Sequence, residues 1–175
     1  MKRLNRNRYL CFILLILTVA LTACTSSPDF EAYEGNSLRI AVVGEPPKVK
    51  EEQVRFTEFS FDEMASDELM SYDAVFIEED HLAEASESQY ADVYSNSTIP
   101  FFFISAKNFI PFAVKEIKYD ENWSWSAGDG DVYAVGALNS QKLSWKYGLY
   151  NGKKTTDNIK DVYSRIFKTT DELNE

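Results

Sequence analysis

Two cysteines and one histidine are all that this chain of 175 residues offers to thiol or imidazole chemistry. So few thiols exclude the disulfide framework that staples many small secreted domains, and they exclude a zinc site built on cysteines. Positive charge is short as well: 18 Lys and Arg stand against 28 Asp and Glu, a formal net charge of −10. That balance excludes the basic footprint with which nucleic-acid binders grip phosphate. A bilayer-crossing helix wants about 20 consecutive apolar residues, and the main apolar run, Tyr9 to Ala20, falls short of that and is interrupted by Thr18. No repeat at solenoid periods is visible.

What is present is concentrated at the start. MKRLNRNR carries Lys2, Arg3, Arg6 and Arg8 without an acid, the apolar run follows, and small residues close it. A basic region, an apolar core and small residues before a cut are the parts of a secretory signal. Leu21-Thr22-Ala23-Cys24 resembles the lipobox of bacterial lipoproteins. That resemblance implies that the Cys24 thiol receives a diacylglyceryl group, that signal peptidase II removes residues 1–23, and that the new amino terminus is N-acylated. At about 0.8 kcal/mol per buried methylene, two or more acyl chains anchor stably, here on the outer face of the cytoplasmic membrane. The other reading of the segment is an uncleaved anchor helix that contains a cysteine, and it too faces the membrane. The whole chain resembles the small lipoproteins of Gram-positive bacteria, a resemblance that carries over Cys24 and no activity.

Residues 1–23 hold four of the basic residues and no acid, so the remainder has 14 basic against 28 acidic residues, a net −14. Such a surface suits solubility and a body that stands off anionic lipid. With Cys11 lost and Cys24 acylated, no thiol remains for a disulfide, catalysis or metal. The length suits one domain. Residues 24–37, rich in Ser, Pro, Gly and Asn, are expected to form a flexible tether. The domain is expected over 38–170, with a short tail at 171–175.

Within it, LRIAVVG (Leu38–Gly44) is a near-continuous apolar run, as in strands buried on both faces. EPPKVKEEQ is a loop. Val54–Phe59 alternates as a second strand, and Ser60 is placed to cap a short helix through Met70. YDAVFI (Tyr72–Ile77) and IPFFFIS (Ile99–Ser105) are further strands around a helix that Asp80 caps. Asp131–Asn139 and Lys142–Tyr150, two residues apart, read as a β-hairpin. A final helix follows, capped by Thr156 or Asp157, with Ile159, Val162, Tyr163 and Ile166 on one face. The pattern predicts a single three-layer-like α/β domain, with a mainly parallel sheet in a Rossmann- or flavodoxin-like layout plus the hairpin and helix.

Ligands of such sheets sit beyond the carboxyl ends of the strands. Three segments are expected there: Gly44-Glu45-Pro46-Pro47, Glu78-Glu79-Asp80-His81 and Ser105-Ala106-Lys107-Asn108. The first lacks G-x-G-x-x-G, and its prolines donate nothing to phosphate. In the second, Glu78, Asp80 and His81 offer oxygen and nitrogen ligands to a cation, or an acid and a base. The plain alternative is a solvated helix start, where acids gather without a ligand. AGDGD (Ala127–Asp131) lacks the spacing of a calcium loop and suits a Gly-Asp turn instead. Trp123, Trp125 and Trp145, with Tyr133, Tyr147 and Tyr150, form an aromatic group that either packs inward or grips a partner. No serine lies in G-x-S-x-G.

The expected function is a non-catalytic, lipid-anchored module that binds or supports an envelope protein or wall polymer, with no cofactor, no metal and no nucleic acid. Two alternatives stand beside it. One is a solute-binding module using the strand-end crevice of Glu45, Glu78, Asp80, His81 and Lys107. The other is a cation-dependent hydrolase built on Glu78, Asp80 and His81.

Overall fold

The computed structural model describes residues 30–120 and 129–175. The signal segment, Cys24, Trp123 and Trp125 lie outside the described residues. Six strands form one sheet: β1 (Leu38–Val43), β2 (Val54–Glu58), β3 (Ala74–Ile77), β4 (Phe101–Ile104), β5 (Val132–Leu138) and β6 (Leu143–Gly148). Their order is β2-β1-β3-β4-β5-β6. The pairings β1–β2, β1–β3 and β3–β4 are parallel, while β4–β5 and β5–β6 are antiparallel. The fold is thus α/β with a mixed, mostly parallel sheet and a C-terminal helix. The four α-helices among the described residues are α1 (Leu82–Ala85), α2 (Ala91–Asn96), α3 (Ile110–Ala113) and α4 (Thr156–Leu173). None of the helices among the described residues is long and apolar enough to cross a membrane.

Alternate residues of each strand point to opposite faces, so both faces of the central strands need cover. β1 sends Leu38, Ile40 and Val42 to one face with Phe76, Phe102 and Ile104 of its neighbours. Ala41 and Val43 go to the other, with Val75, Ile77, Phe101 and Phe103. The first face is covered by α4. Its Val162, Tyr163, Ile166 and Phe167 recur at helical spacing and are buried. Each such side chain contributes roughly 1.5–3 kcal/mol on burial. Phe167 lies parallel to Phe76 at 6.1 Å, and Tyr163 stacks on Phe76 at 5.9 Å. The cap of α4 is Thr155, one residue earlier than expected, its hydroxyl accepting from the Asn158 N–H at 3.3 Å.

The second face is covered by short pieces. The helix expected from Ser60 to Met70 is instead two 3-10 turns, Phe61–Ala65 and Asp67–Ser71. The Ser60 hydroxyl and N–H both donate to the Glu63 carboxylate, at 2.5 and 2.7 Å. Ser66 between the turns is extended, its hydroxyl donating to the Glu63 carbonyl at 2.6 Å. Local bonds of this kind divert the backbone from an α ladder. They also break the helix expected after Asp80. Ser86 ends α1, donating to the Ala83 carbonyl at 2.8 Å, before α2 begins. Asp80 is not the cap: Glu78 holds that position, and Asp80 lies within a 3-10 turn, Glu79–His81.

At the hairpin the last pair is Leu138 with Leu143, so four residues make the turn rather than two, with Lys142 left-handed at φ 59°. Residues 129–131, the described part of AGDGD, form a 3-10 turn.

Packing also extends beyond 38–170. Tyr33 is buried, its ring 5.9 Å from Phe167, and its hydroxyl donates to the Asn36 carbonyl at 2.8 Å. The Asn36 side chain and N–H donate to Asp171 at 2.9 and 3.1 Å, and α4 runs to Leu173. Residues 30–36 are therefore a strap bound along α4 rather than part of a free tether. The expectation placed them outside because their composition is polar, and Phe30 and Tyr33 are the two aromatic side chains that hold them down, beside the Asn36 bonds to Asp171.

Candidate functional site

β1 and β3 are adjacent and parallel, and their carboxyl ends open into loops that diverge to β2 on one side and to α1 on the other. A cleft of about 460 Å³ lies there. Gly44 to Lys48 form one wall, Glu78 to His81 a second, and Thr156, Ile159, Lys160 and Tyr163 of α4 a third. Gly44 shapes the junction of the first two. Its φ is +118°, a conformation open to glycine, and an added Cβ would stand 2.8 Å from the Glu78 Cβ.

Glu78 follows directly on β3 and is half-buried between the sheet and α4. Its carboxylate accepts from the Tyr163 hydroxyl at 3.2 Å. Burial pushes its pKa up; the Tyr163 bond pulls it down, and the charges of Glu79 and Asp80 push it up again, leaving it at about 7. Burial, and after it the charge of Glu78, holds the Tyr163 hydroxyl well above the ordinary phenol range. Glu79 points away, to a second set of partners. It accepts from Ser105 Oγ at 2.7 Å and from Lys154 Nζ at 3.1 Å, and the Ser105 bond is the main reason its pKa falls below the usual carboxylate value. Two adjacent glutamates are thereby split, one readily protonated and one firmly ionised.

The structure brings Glu45, Glu78, Asp80 and His81 to one cleft, and it does not place Lys107 among the lining residues. Glu45 is exposed, 3.8 Å from Lys48. Asp80 is exposed at the rim, and His81 is half-buried with its ring 6.2 Å from Phe61. The third expected segment reaches the site only through Ser105, whose hydroxyl meets Glu79. The cation facing this end comes instead from beyond the hairpin, as Lys154, and from α4, as Lys160. Sequence reasoning missed both lysines and Tyr163's polar role. The helical spacing had already placed Tyr163 inward, but nothing local says that its hydroxyl meets Glu78, 85 residues away. Among the described residues no three His, Cys, Asp or Glu side chains are placed to hold a metal ion.

The aromatic hairpin turns largely inward. Tyr133 and Tyr147 are buried, the latter donating to Thr169 Oγ1 at 2.9 Å. Trp145 is half-buried with its ring 6.0 Å from Phe102. Among the described members of the group, only Tyr150 is exposed, edge-on to Phe30 at 5.8 Å. In comparisons with known proteins the chain matches no family model, no curated protein and no solved structure.

Proposed function

We propose that this chain is a lipid-anchored, extracytoplasmic binding protein of the bacterial cell envelope, built on a doubly wound, flavodoxin-like layout, and that it holds a small polar ligand in the β1/β3 cleft. The anchoring rests on the lipobox ending at Cys24 and its flanks. The layout is supported by the order β2-β1-β3-β4, which reverses direction between β1 and β3. The binding reading rests on one observation: Glu78 stands half-buried in a cleft at that reversal point, with Tyr163 as its one hydrogen-bond donor among the described residues. A desolvated carboxyl so thinly solvated gains most from a ligand that supplies further polar contacts.

Two other readings are less favoured. For hydrolysis through a cation, no three His, Cys, Asp or Glu side chains among the described residues are placed to hold the ion. Docking of a partner on the hairpin loses Tyr133 and Tyr147 to the core. The test is a thermal-shift screen of the native chain and Glu78→Gln against sugars, amino acids, amines and nucleosides. A class that raises Tm in the native chain and less in the variant is the expected result; no shift with any class rejects the cleft as a ligand site. Anchoring is tested by acyl-chain labelling, which Cys24→Ser should abolish.

A further inference from the structure

The strap changes how much chain separates the fold from its anchor. A free tether from Cys24 to Leu38 would let the domain turn in any direction above the membrane. With residues 30–36 bound along α4, only six residues, Cys24–Asp29, precede the packed Phe30. Whatever their conformation, six residues reach at most about 20 Å.

The place where this lead meets the fold is defined. Phe30 packs on Tyr150, two residues past the end of β6. Gly148 of β6 pairs with Val132, the first residue of β5, and β5 runs antiparallel to β4, with Ala134 opposite Ile104 at the carboxyl end of that strand. Tyr150 therefore lies at the carboxyl ends of the parallel strands, the end that holds the cleft. Lys154, four residues further on, reaches Glu79 on the cleft's β3 loop. The hairpin tip around Ser140 lies at the opposite end, a full strand away, about 24 Å along the seven residues of β5. Turned tip-down, the domain would lift Phe30 beyond the reach of its lead.

We propose that the cleft end of the sheet is held facing the lipid headgroup layer, within about 20 Å of it. The inference rests on the reading of Cys24 as the acylated residue. The net charge of −14 beyond residue 23 does not oppose it. Repulsion from anionic lipid keeps the body off the surface, whereas the lead fixes which end is nearest. A ligand then enters the cleft from the membrane side of the domain.

The experiment uses the full lipidated chain, whose single remaining thiol is blocked by its lipid, so an added cysteine is a unique labelling site. Lys153→Cys marks the cleft end and Ser140→Cys the hairpin tip, both exposed. Each is labelled with a donor fluorophore and reconstituted into phosphatidylcholine vesicles carrying a headgroup-labelled acceptor lipid. Mass spectrometry first establishes the acyl groups on Cys24. Energy transfer from position 153 is expected to exceed that from 140 several-fold. Inserting about a dozen Gly and Ser residues before Phe30 lengthens the reach and should bring the two values together. Equal or reversed transfer in the lipidated chain, or a difference that survives the insertion, overturns the proposal and leaves the anchoring intact. A chain without lipid on Cys24 overturns both.

Discussion

The two faces of the sheet are covered in opposite ways. On one, the 18 residues of α4 cover the core as a single body, with Tyr163 and Phe167 layered on Phe76. On the other, two 3-10 turns and three helices of four to six residues share the work, each ended by a serine, an asparagine or a short loop. Both faces are equally dry, since Phe76, Phe102, Phe101 and Phe103 are all at most 1% exposed. Burial alone therefore does not require a long helix. It requires apolar side chains at the right points, which short turns deliver when serine and acid side chains satisfy their backbone ends. Cooperativity is where the two faces differ, because a long helix opens as a unit and short turns open piecemeal.

Truncation should expose that difference most strongly. Phe167→Ala removes a ring stacked on Phe76 and in contact with Tyr33 and Phe56, and should cost about 3–5 kcal/mol by chemical denaturation. Met64→Ala, equally buried but carried on a 3-10 turn free to settle inward, should cost at the low end of the range for such deletions, about 2 kcal/mol. Equal costs would show that the turn-built face is as rigid as the helical one. Amide exchange offers the companion measurement: protection in the middle of α4 should track global unfolding, and residues 61–71 should exchange by local opening.

A change in pH sharpens the comparison at the end of the face that α4 covers. Glu78 holds its proton up to about pH 7 when folded, against an ordinary value of 4.5. The folded state then binds more protons than the unfolded chain between those values, so this group's contribution falls as pH rises from 4.5 through 7. Glu78→Gln should be insensitive to that loss and gain about 3 kcal/mol on the native chain between pH 4.5 and pH 8. Parallel pH profiles of denaturation midpoints for the two proteins would sink this account. The smallest effect is at the helix start, where Thr155→Ala should cost about 1 kcal/mol. Thr156→Ala next to it should cost far less, since the cap bond belongs to Thr155.

The same contrast explains how much of the fold is legible in the sequence. The strands and α4 were legible because their periods run long enough to show: VYAVGAL and LSWKYG flank a turn, and Val162, Tyr163 and Ile166 repeat on one helical stripe. The turn-built face was misjudged because apolar residues such as Met64 and Leu69 fit a helix and a pair of 3-10 turns equally well. Ser66 decides between them through a hydrogen bond three residues back. At the cleft, Glu45, Glu78, Asp80 and His81 were accessible to reasoning because strand ends gather there. Lys107 was placed there by the same rule, yet the turn at Ser105, with φ at 65°, brings the serine hydroxyl to Glu79 instead. The contributions of Tyr163, Lys154 and Lys160 depend on how α4 docks, which no local pattern encodes. The strap was hidden for the opposite reason, since two aromatic anchors are too few to stand out in a polar stretch.

Gly44 constrains how this protein can diverge. A methyl group there would meet both an unfavourable backbone angle and the side chain of Glu78. A lineage that replaces the glycine must therefore also shrink or reroute residue 78, and in doing so it gives up the carboxyl at the heart of the cleft. The loops after β1 and β3 are thus tied in their history as well as in space: they change as a pair, or the site is lost.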